Sequence, residues 1–277
     1  MTVSILPSGA YQGYVDNVVE GADGATHIAL VDFDGSERGI RAVVKLYPKD
    51  SMGIYNEIIG YMLASSLKIP QPSRAAVFPI EVAMLHEVPT WMPTEAQYWL
   101  AWCTEWIPKK SIKPWFNKIK GIQGKPPDKK TRKAYRRISA DLKRWLKAPN
   151  TASFDDWVAN NDRNMGNLIR MGRGDYRIID HGRLFNAEPW FMNQVDANQQ
   201  YQNTLEWLLN FTMEHKDLSG RMREAADEHS GSLNLIWSDI VALIGDDLPD
   251  KVLDQIHGFL EQRSMDTYLK LRYVSLI

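Results

Sequence analysis

The sequence predicts an α+β fold of two lobes, with a strand-rich first part and a helical second part. The first fifty residues alternate apolar and polar positions between glycine-rich turns, a pattern typical of short antiparallel strands. Beyond residue 185, apolar residues recur at helical spacing to the end. The 277 residues, 44% of them hydrophobic, are enough for one large domain or two modest lobes.

The first lobe, residues 1–107, is predicted to hold five strands and one helix. The first three strands come from YQGYVDNVV, HIALVDF and IRAVVKLY. The helix comes from SMGIYNEIIGYMLASSL, whose apolar stripe ends before the prolines of KIPQPS, and we expect this helix to lie on the sheet. Residues 75–88 and 97–107 predict two more strands, the second apolar almost throughout and therefore expected to be buried on both faces.

The second lobe, residues 108–277, opens with a basic insert over residues 108–147. The insert carries 15 Lys and Arg residues against 2 Asp and Glu, a balance of +13 in a chain of net charge −1. A solvated loop, a docking surface for an acidic protein or a protein–RNA complex, and attraction to anionic lipid all fit this composition. Four aromatic residues of the insert are expected to pack on their own lobe rather than stack on bases: Trp115, Phe116, Tyr135 and Trp145.

The rest of the second lobe is predicted to be mainly helical. A basic helix is expected over residues 134–146, and TASFDDWVAN predicts a short amphipathic helix with a Thr or Ser cap. Four later segments predict helices separated by Gly, Asp or Pro: NTLEWLLNFTMEH, SGRMREAADEH, LNLIWSDIVALIG and PDKVLDQIHGFLEQRS.

Composition also narrows the class of protein. The single cysteine, Cys103, excludes an internal disulfide, and the first ten residues lack the layout of a secretory signal. No apolar run approaches the roughly 18 residues of a membrane-spanning helix. We therefore expect a soluble, cytoplasmic protein without a transmembrane segment.

Three polar residues flank two short apolar runs in NNDRNMGNLIRMGRGDYRIID, residues 160–180. Asp162 precedes Asn167 by five positions, and the apolar runs predict a hairpin that returns Asp180 to the side of Asn167. An amide oxygen beside a carboxylate offers hard oxygen ligands that suit Mg²⁺. The five-residue spacing is also that of the Asp and Asn in a protein-kinase catalytic loop.

A lysine and a glutamate upstream complete a set suited to phosphoryl transfer. Lys45 lies on the third predicted strand, and Glu57 follows twelve residues later on the first predicted helix. Taken alone, such a pair is usually a surface ion pair, and an Asp such as Asp162 often caps a helix or starts a turn. The joint order Lys, Glu, Asp, Asn, Asp nevertheless matches a kinase, in which the Lys–Glu pair positions the α- and β-phosphates.

Over about residues 40–190 the chain resembles the HipA-like serine/threonine kinases, bacterial relatives of the protein-kinase fold. The resemblance rests on VVKLY followed by NEIIGYMLASSLKIPQP, on FDDWVANNDRNMGNLI and on IIDHGRLF. It implies the cofactors ATP and Mg²⁺. It also implies a role for each matched residue: phosphate binding by Lys45, support of Lys45 by Glu57, catalysis by Asp162, and metal binding by Asn167 and Asp180.

The same resemblance implies a hinge between the lobes at CTEWI, where the backbone of Glu105 and Ile107 would meet the adenine edge. Asn164 departs from the family pattern, because relatives usually carry His at this position. A glycine-rich loop is the weakest match: SGAYQG supplies Gly9 and Gly13 near the first strand, without a G-x-G-x-x-G motif.

Three functions fit these observations. The first is a kinase that phosphorylates a Ser or Thr hydroxyl of a protein; the resemblance suggests a toxin of a toxin–antitoxin pair that acts on a translation factor and is controlled by a separate partner chain. The second is a lipid kinase, since NDRNMGN and IIDHG also resemble elements of phosphatidylinositol 3- and 4-kinases. The third is a nucleotide-binding pseudokinase that acts as a binding module.

Overall fold

The computed structural model describes residues 3–18, 25–113, 129–185 and 196–273. A six-stranded sheet occupies the first part and a set of helices the last, with a two-stranded hairpin between them in sequence. The predicted α+β fold of two lobes is confirmed. The proposed boundary at residue 107 stays a prediction, although the sheet does end at Glu105.

The sheet has the strand order β1-β5-β6-β4-β3-β2. β1 pairs in parallel with β5, and the other neighbouring strands are antiparallel. The order follows the chain from β2 to β4 and then inserts β6 between β4 and β5. The strands span β1 Ser4–Ile5, β2 Tyr11–Asn17, β3 Ala25–Val31, β4 Ile40–Leu46, β5 Ala75–Glu81 and β6 Tyr98–Glu105.

The helix α1, Gly53–Ser66, is buried along almost its whole length. It packs between the sheet, at β6, and a later helix, α6, of the second lobe. Its apolar positions therefore do not form a single stripe with an exposed opposite side. This double burial ties the first lobe to the second.

Both faces of the sheet are covered. Alternate residues of β4 enter an apolar cluster with Phe78, Ala101 and Cys103 on the face opposite α1. Segments between β5 and β6 close this cluster, through residues such as Trp91 and Met92. Within β6 the prediction of burial on both faces holds only for residues 101–103, because the first half of the strand is largely exposed.

The second lobe contains the hairpin and seven described helices. The hairpin is formed by β7, Leu168–Gly172, and β8, Asp175–Ile178, as predicted. The helices span α2 Lys129–Leu142, α3 Ala148–Trp157, α4 Thr204–Leu209, α5 His215–Ala226, α6 His229–Ile244, α7 Asp250–Ser264 and α8 Asp266–Tyr273.

Three predicted elements differ from the structure. The strand over residues 75–88 ends at Glu81, where a 3-10 turn, Val82–Met84, redirects the chain. The basic helix lies earlier than predicted and ends at Leu142. The helix α3 is not amphipathic, since all of its residues but one are buried, and its acidic pair Asp155 and Asp156 meets buried arginines instead of solvent.

The described part of the basic insert packs on its own lobe, as expected. The ring of Tyr135 lies 5.1 Å from that of Trp207 and 5.2 Å from that of Phe211. Trp145 is buried against Tyr176 of the hairpin. The positions of Trp115 and Phe116 lie outside the described residues. Among the described residues, no helix is long and apolar enough to cross a bilayer.

Candidate active site

A cavity of about 910 Å³ lies between the sheet and the hairpin of the second lobe. Its size is in the usual range for sites that bind small molecules and cofactors. Residues far apart in sequence line it, from β3, β4, α1 and the end of β6 to the loop around β7 and β8. All seven residues singled out in the sequence line this cavity: Lys45, Glu57, Glu105, Ile107, Asp162, Asn167 and Asp180.

The strand β4 directs Lys45 into the cavity. Side chains alternate between the two faces of a strand, so that Ala42, Val44 and Leu46 lie in the apolar cluster while Val43 and Lys45 line the cavity. The alternation in VVKLY therefore places the cationic side chain of Lys45 on the cavity face of the sheet and the apolar side chains on the buried face.

Lys45 forms ion pairs with two carboxylates. Its Nζ lies 2.5 Å from Oε1 of Glu57 and 2.7 Å from Oδ1 of Asp180. Burial alone would lower the pKa of Lys45, but the charges of Asp180 and Glu57 outweigh burial and raise it. Burial likewise would raise the pKa of Asp180, yet Lys45 lowers it to about 2. The lysine is therefore held as a cation and Asp180 as an anion.

Glu57 connects both lobes. Its side chain is almost fully buried on α1, and Oε1 also accepts a hydrogen bond from the hydroxyl of Tyr47 at 3.1 Å. Oε2 accepts one from the backbone N–H of His181 at 2.9 Å, directly after Asp180 in sequence. Burial raises the pKa of Glu57, and the charge of Lys45 opposes that shift. These bonds fix Glu57 against the segment that carries Asp180.

The loop ahead of β7 places Asp162 and Asn167 together. Nδ2 of Asn167 donates to the carbonyl oxygen of Asp162 at 2.8 Å. No described residue donates to Oδ1 of Asn167, so this oxygen remains available to coordinate a metal ion. Asn164 occupies the position where His was expected; its Oδ1 accepts from the N–H of Gly166 at 2.7 Å, and its Nδ2 donates to the carboxylate of Asp162 at 3.3 Å.

Asp180 adopts a backbone conformation that is uncommon for a residue with a side chain. Its φ is 66°, in the left-handed region. The N–H of Ile179 donates to the carbonyl of Asn167 at 3.1 Å and so ties this turn to the loop. The combination supplies an amide oxygen and a carboxylate to one cavity. Mg²⁺ is commonly held by one or two such groups together with substrate phosphates. No cluster of three or more metal-ligating side chains occurs among the described residues.

The predicted hinge also lines the cavity. The backbone N–H of Glu105 donates to the carbonyl of Arg74 at 3.0 Å and is therefore used within the sheet. The N–H of Ile107 donates to no described residue, and its carbonyl accepts from the N–H of Lys109 at 2.7 Å. Of the two predicted hinge residues, only Ile107 thus has a backbone N–H available to donate a hydrogen bond to a planar ligand. Apolar residues line the same cavity, among them Ile28, Val43, Trp102 and Ile178.

The segment with the weakest match, SGAYQG, does not line the cavity: neither Gly9 nor Gly13 is among the lining residues. Val18, directly after β2, and Thr26, on β3, line it, and the sequence that connects these strands contains Gly21 and Gly24. Residues 19–24 lie outside the described part of the chain.

Sequence reasoning missed the arginine that supports the site. Arg163 is fully buried and donates from Nε and Nη2 to the carboxylate of Asp155, at 3.1 to 3.2 Å. Its Nη1 donates to the carbonyls of Ile179 at 2.6 Å and of Asp180 at 3.3 Å. One guanidinium therefore links α3, the Asp162 loop and the turn at Asp180. Its position next to Asp162 was the only available sequence signal.

Comparison with known proteins gives a structural likeness without a sequence match. No known protein family matches the chain, and no curated protein matches it in sequence. Its structure resembles the crystal structure of the Helicobacter pylori proinflammatory kinase CtkA, with a TM-score of 0.52 at 12% identity. The match covers 98% of this chain and 99% of that one. At this identity the likeness shows the fold: the chain has a two-lobed, kinase-like α+β architecture over its length.

Proposed function

We propose that this protein is an ATP- and Mg²⁺-dependent kinase that transfers the γ-phosphoryl group to a Ser or Thr hydroxyl of a protein. One observation carries the proposal: the pair of Lys45 and Glu57 meets Asp180 within 2.7 Å, in the cavity that Asp162 and Asn167 also line. Phosphoryl transfer relies mainly on positioning and electrostatic stabilisation, and these five residues supply both.

The nucleotide would lie with its base at the hinge and its phosphates at Lys45. The N–H of Ile107 is available to the adenine edge, and apolar residues line the same cavity. Lys45, held by Glu57, would place its charge on the phosphates. Nζ of Lys45 lies 2.7 Å from the carboxylate of Asp180. We expect nucleotide binding to lengthen this distance, because Lys45 would then contact the phosphates.

The metal would be held by Oδ1 of Asn167 and the carboxylate of Asp180. Bound there with the phosphates, Mg²⁺ would neutralise charge that develops during transfer. The hydrogen bond from Nδ2 of Asn167 to the Asp162 carbonyl leaves the amide oxygen for this purpose. The low pKa of Asp180, about 2, supports an anionic ligand at neutral pH.

Asp162 would orient the acceptor hydroxyl and accept its proton. It lines the cavity five residues ahead of Asn167, and Asn164 donates a hydrogen bond to its carboxylate. The attacking oxygen would form a bond to the γ-phosphorus while the bond to the bridging β,γ-oxygen breaks and ADP leaves. A positioned base of this kind contributes about 10²- to 10⁴-fold to rate.

The HipA-like resemblance extends the proposal to a biological role. We propose a cytoplasmic serine/threonine kinase that inhibits growth as the toxin of a toxin–antitoxin pair, acts on a translation factor and is controlled by a separate antitoxin chain. The support is the resemblance over about residues 40–190. Expression of this protein with and without the product of the neighbouring gene, with cell growth as the measurement, tests this role independently of the chemistry.

Mass spectrometry after incubation with Mg-ATP tests the chemistry. Wild type is expected to release ADP and to gain phosphate on Ser or Thr, whereas Asp162→Asn should lose transfer by at least about 10²-fold and keep nucleotide affinity. Asp254→Asn, an exposed change on α7, serves as the matched control and should behave as wild type. Loss of ATP binding in Asp162→Asn would contradict the assigned role. Absence of ADP from wild type with protein and phosphoinositide acceptors would favour the pseudokinase.

A further inference from the structure

Three lysines of one short segment line the same cavity as Asp162. Lys109, Lys110 and Lys113 follow the hinge directly in sequence. Lys109 and Lys110 are exposed, and Lys113 is half-buried. Neither the proposed nucleotide contacts nor the proposed metal site uses them, so they form a feature that phosphoryl transfer by itself does not require.

The segment is fixed beside the catalytic loop. Ser111 forms an antiparallel bridge with Ile169 on β7. The N–H of Ile112 donates to the carbonyl of Leu168 at 3.1 Å, and the N–H of Arg170 donates to the carbonyl of Lys110 at 3.3 Å. Because β7 begins at the residue after Asn167, these bonds hold the lysines at a set position relative to the proposed metal ligand and Asp162.

Strand geometry explains which side chains face the cavity. Around the bridge, Ile112 is 1% exposed and lies in the core of the second lobe. The residues on either side of it, Ser111 and Lys113, line the cavity, as does the bridge partner Ile169. The backbone pairing therefore presents Lys113 inward, with Lys109 on the same wall.

The described acidic residues of the cavity do not neutralise Lys109 and Lys110. Glu57 and Asp180 pair with Lys45, and Glu105 accepts a hydrogen bond from Ser73. Asp162 is the remaining carboxylate among the described lining residues, and no described carboxylate forms an ion pair with Lys109 or Lys110. The side of the cavity where an acceptor would approach Asp162 is therefore positively charged.

An anionic acceptor could in principle be a peptide or a membrane lipid. Enzymes that work at membranes commonly present exposed apolar or aromatic residues beside their basic ones. Among the described residues, none of the exposed large hydrophobic side chains lines this cavity. This arrangement favours a peptide.

We propose that the acceptor is a Ser- or Thr-containing peptide segment with acidic side chains next to the acceptor hydroxyl, bound by Lys109 and Lys110. This inference rests on the proposed kinase function and names its substrate class. Carboxylates of the segment contact the lysines, and the hydroxyl lies at Asp162. During transfer the hydroxyl oxygen bonds the γ-phosphorus, its proton passes to Asp162, and ADP leaves.

The experiment compares two fluorescent peptides of equal length, each with one central Ser, flanked by Asp and Glu in one and by Lys and Arg in the other. Phosphorylation is measured with Mg-ATP, and binding is measured by anisotropy with the Ser replaced by Ala. Wild type should phosphorylate and bind the acidic peptide at least about tenfold better, because each exposed charge pair contributes up to about a factor of five.

Reversal of two charges then tests the assigned residues. Lys109→Glu combined with Lys110→Glu should lose at least about tenfold in binding of the acidic peptide, and added salt should weaken wild-type binding. Lys133→Glu, a single charge reversal at an exposed position of α2 outside the cavity, should retain wild-type binding. Circular dichroism confirms that the variants are folded.

Each other outcome overturns the inference. The lysines do not recognise the acceptor if wild type phosphorylates the acidic and basic peptides equally well. The same conclusion follows if Lys133→Glu and the double variant lose equal peptide binding, or if the double variant changes only the KM for ATP. Phosphorylation of phosphatidylinositol phosphate vesicles in place of the acidic peptide would identify a lipid acceptor. If wild type releases no ADP with any acceptor, the kinase proposal fails separately, while the binding arm still decides whether the wall recognises acidic peptides.

Discussion

Replacing Arg163 with Met should destabilise the protein by about 3–5 kcal/mol at neutral pH. Arg163 and Asp155 are both fully buried, with Nη2 and Oδ1 3.1 Å apart. Met fills similar space but leaves the Asp155 carboxylate without its cation, and that loss accounts for most of the cost. The carbonyl of Ile179 also loses a donor at 2.6 Å. Asp180 borders the cavity, so water can replace the donor to its carbonyl.

The loss should depend on pH. Burial raises the pKa of Asp155 to about 6, against the opposing charge of Arg163, and removal of Arg163 raises it further. The folded variant then holds a proton at pH values where the unfolded chain, with a pKa of about 3.9, has lost it. Its stability therefore falls as pH rises from about 4 through the folded pKa. The difference from wild type should be larger at pH 8 than at pH 5.

Urea unfolding followed by tryptophan fluorescence measures both effects. Combined with Asp155→Leu, which removes the orphaned charge, Arg163→Met should cost at least about 2 kcal/mol less than the sum of the single changes. Arg177→Met, which breaks the surface pair with Asp175, is the control and should cost within about 1 kcal/mol of zero. Additive costs within about 0.5 kcal/mol, or equal losses for Arg163→Met and Arg177→Met, would refute this reasoning.

Two further predictions concern Glu57 and a buried histidine. Glu57→Gln should reduce kcat/KM for ATP-dependent transfer at least about tenfold, since a neutral amide no longer holds Lys45 as an ion pair. His229 stacks on Trp157, with ring centroids 4.4 Å apart, and burial and the charge of Arg263 lower its pKa to about 3. Between about pH 6.5 and 3 the unfolded chain binds a proton at His229 and the folded protein does not, so the free energy of unfolding falls as pH falls. His229→Phe should reduce the slope of unfolding free energy against pH in this range by up to about 1.4 kcal/mol per pH unit.

Exposed residues supply matched controls for both predictions. Glu261→Gln should leave turnover at the wild-type level, and His215→Phe, at an exposed position, is the control for His229→Phe. Full turnover in Glu57→Gln would show that Lys45 needs no anionic support from α1. An unchanged slope in His229→Phe would show that this histidine accepts its proton without unfolding.

Local patterns were sufficient for the elements that carry the site. The alternation in VVKLY placed Lys45 opposite a buried face, because successive side chains of a strand point to opposite sides. The two apolar runs on either side of residues 172–175 predicted the hairpin that brings Asp180 back toward Asn167. The five-residue spacing of Asp162 and Asn167 also corresponds to a real contact, a hydrogen bond between them. Each of these relations spans only a few residues.

Relations between distant residues were not visible. Glu57 accepts from the N–H of His181, 124 positions away, and the pattern around Glu57 gave no sign of that partner. The helix α3 was expected to expose one side, since its acidic residues look like a solvated face. In the fold they meet Arg163 and Arg263, which come from other segments. A charged residue is buried only where tertiary structure supplies its partner.

The sequence by itself determined the α+β class, the strand that carries Lys45, and the order and spacing of the five polar residues, because these depend on periodicity along the chain. Only the tertiary structure decided that these residues share one cavity, that Arg163 fixes the turn at Asp180, and that a lysine-rich segment lies beside Asp162. The physical reason is that packing and ion pairing join segments across the fold, and which segments meet is a property of the whole chain.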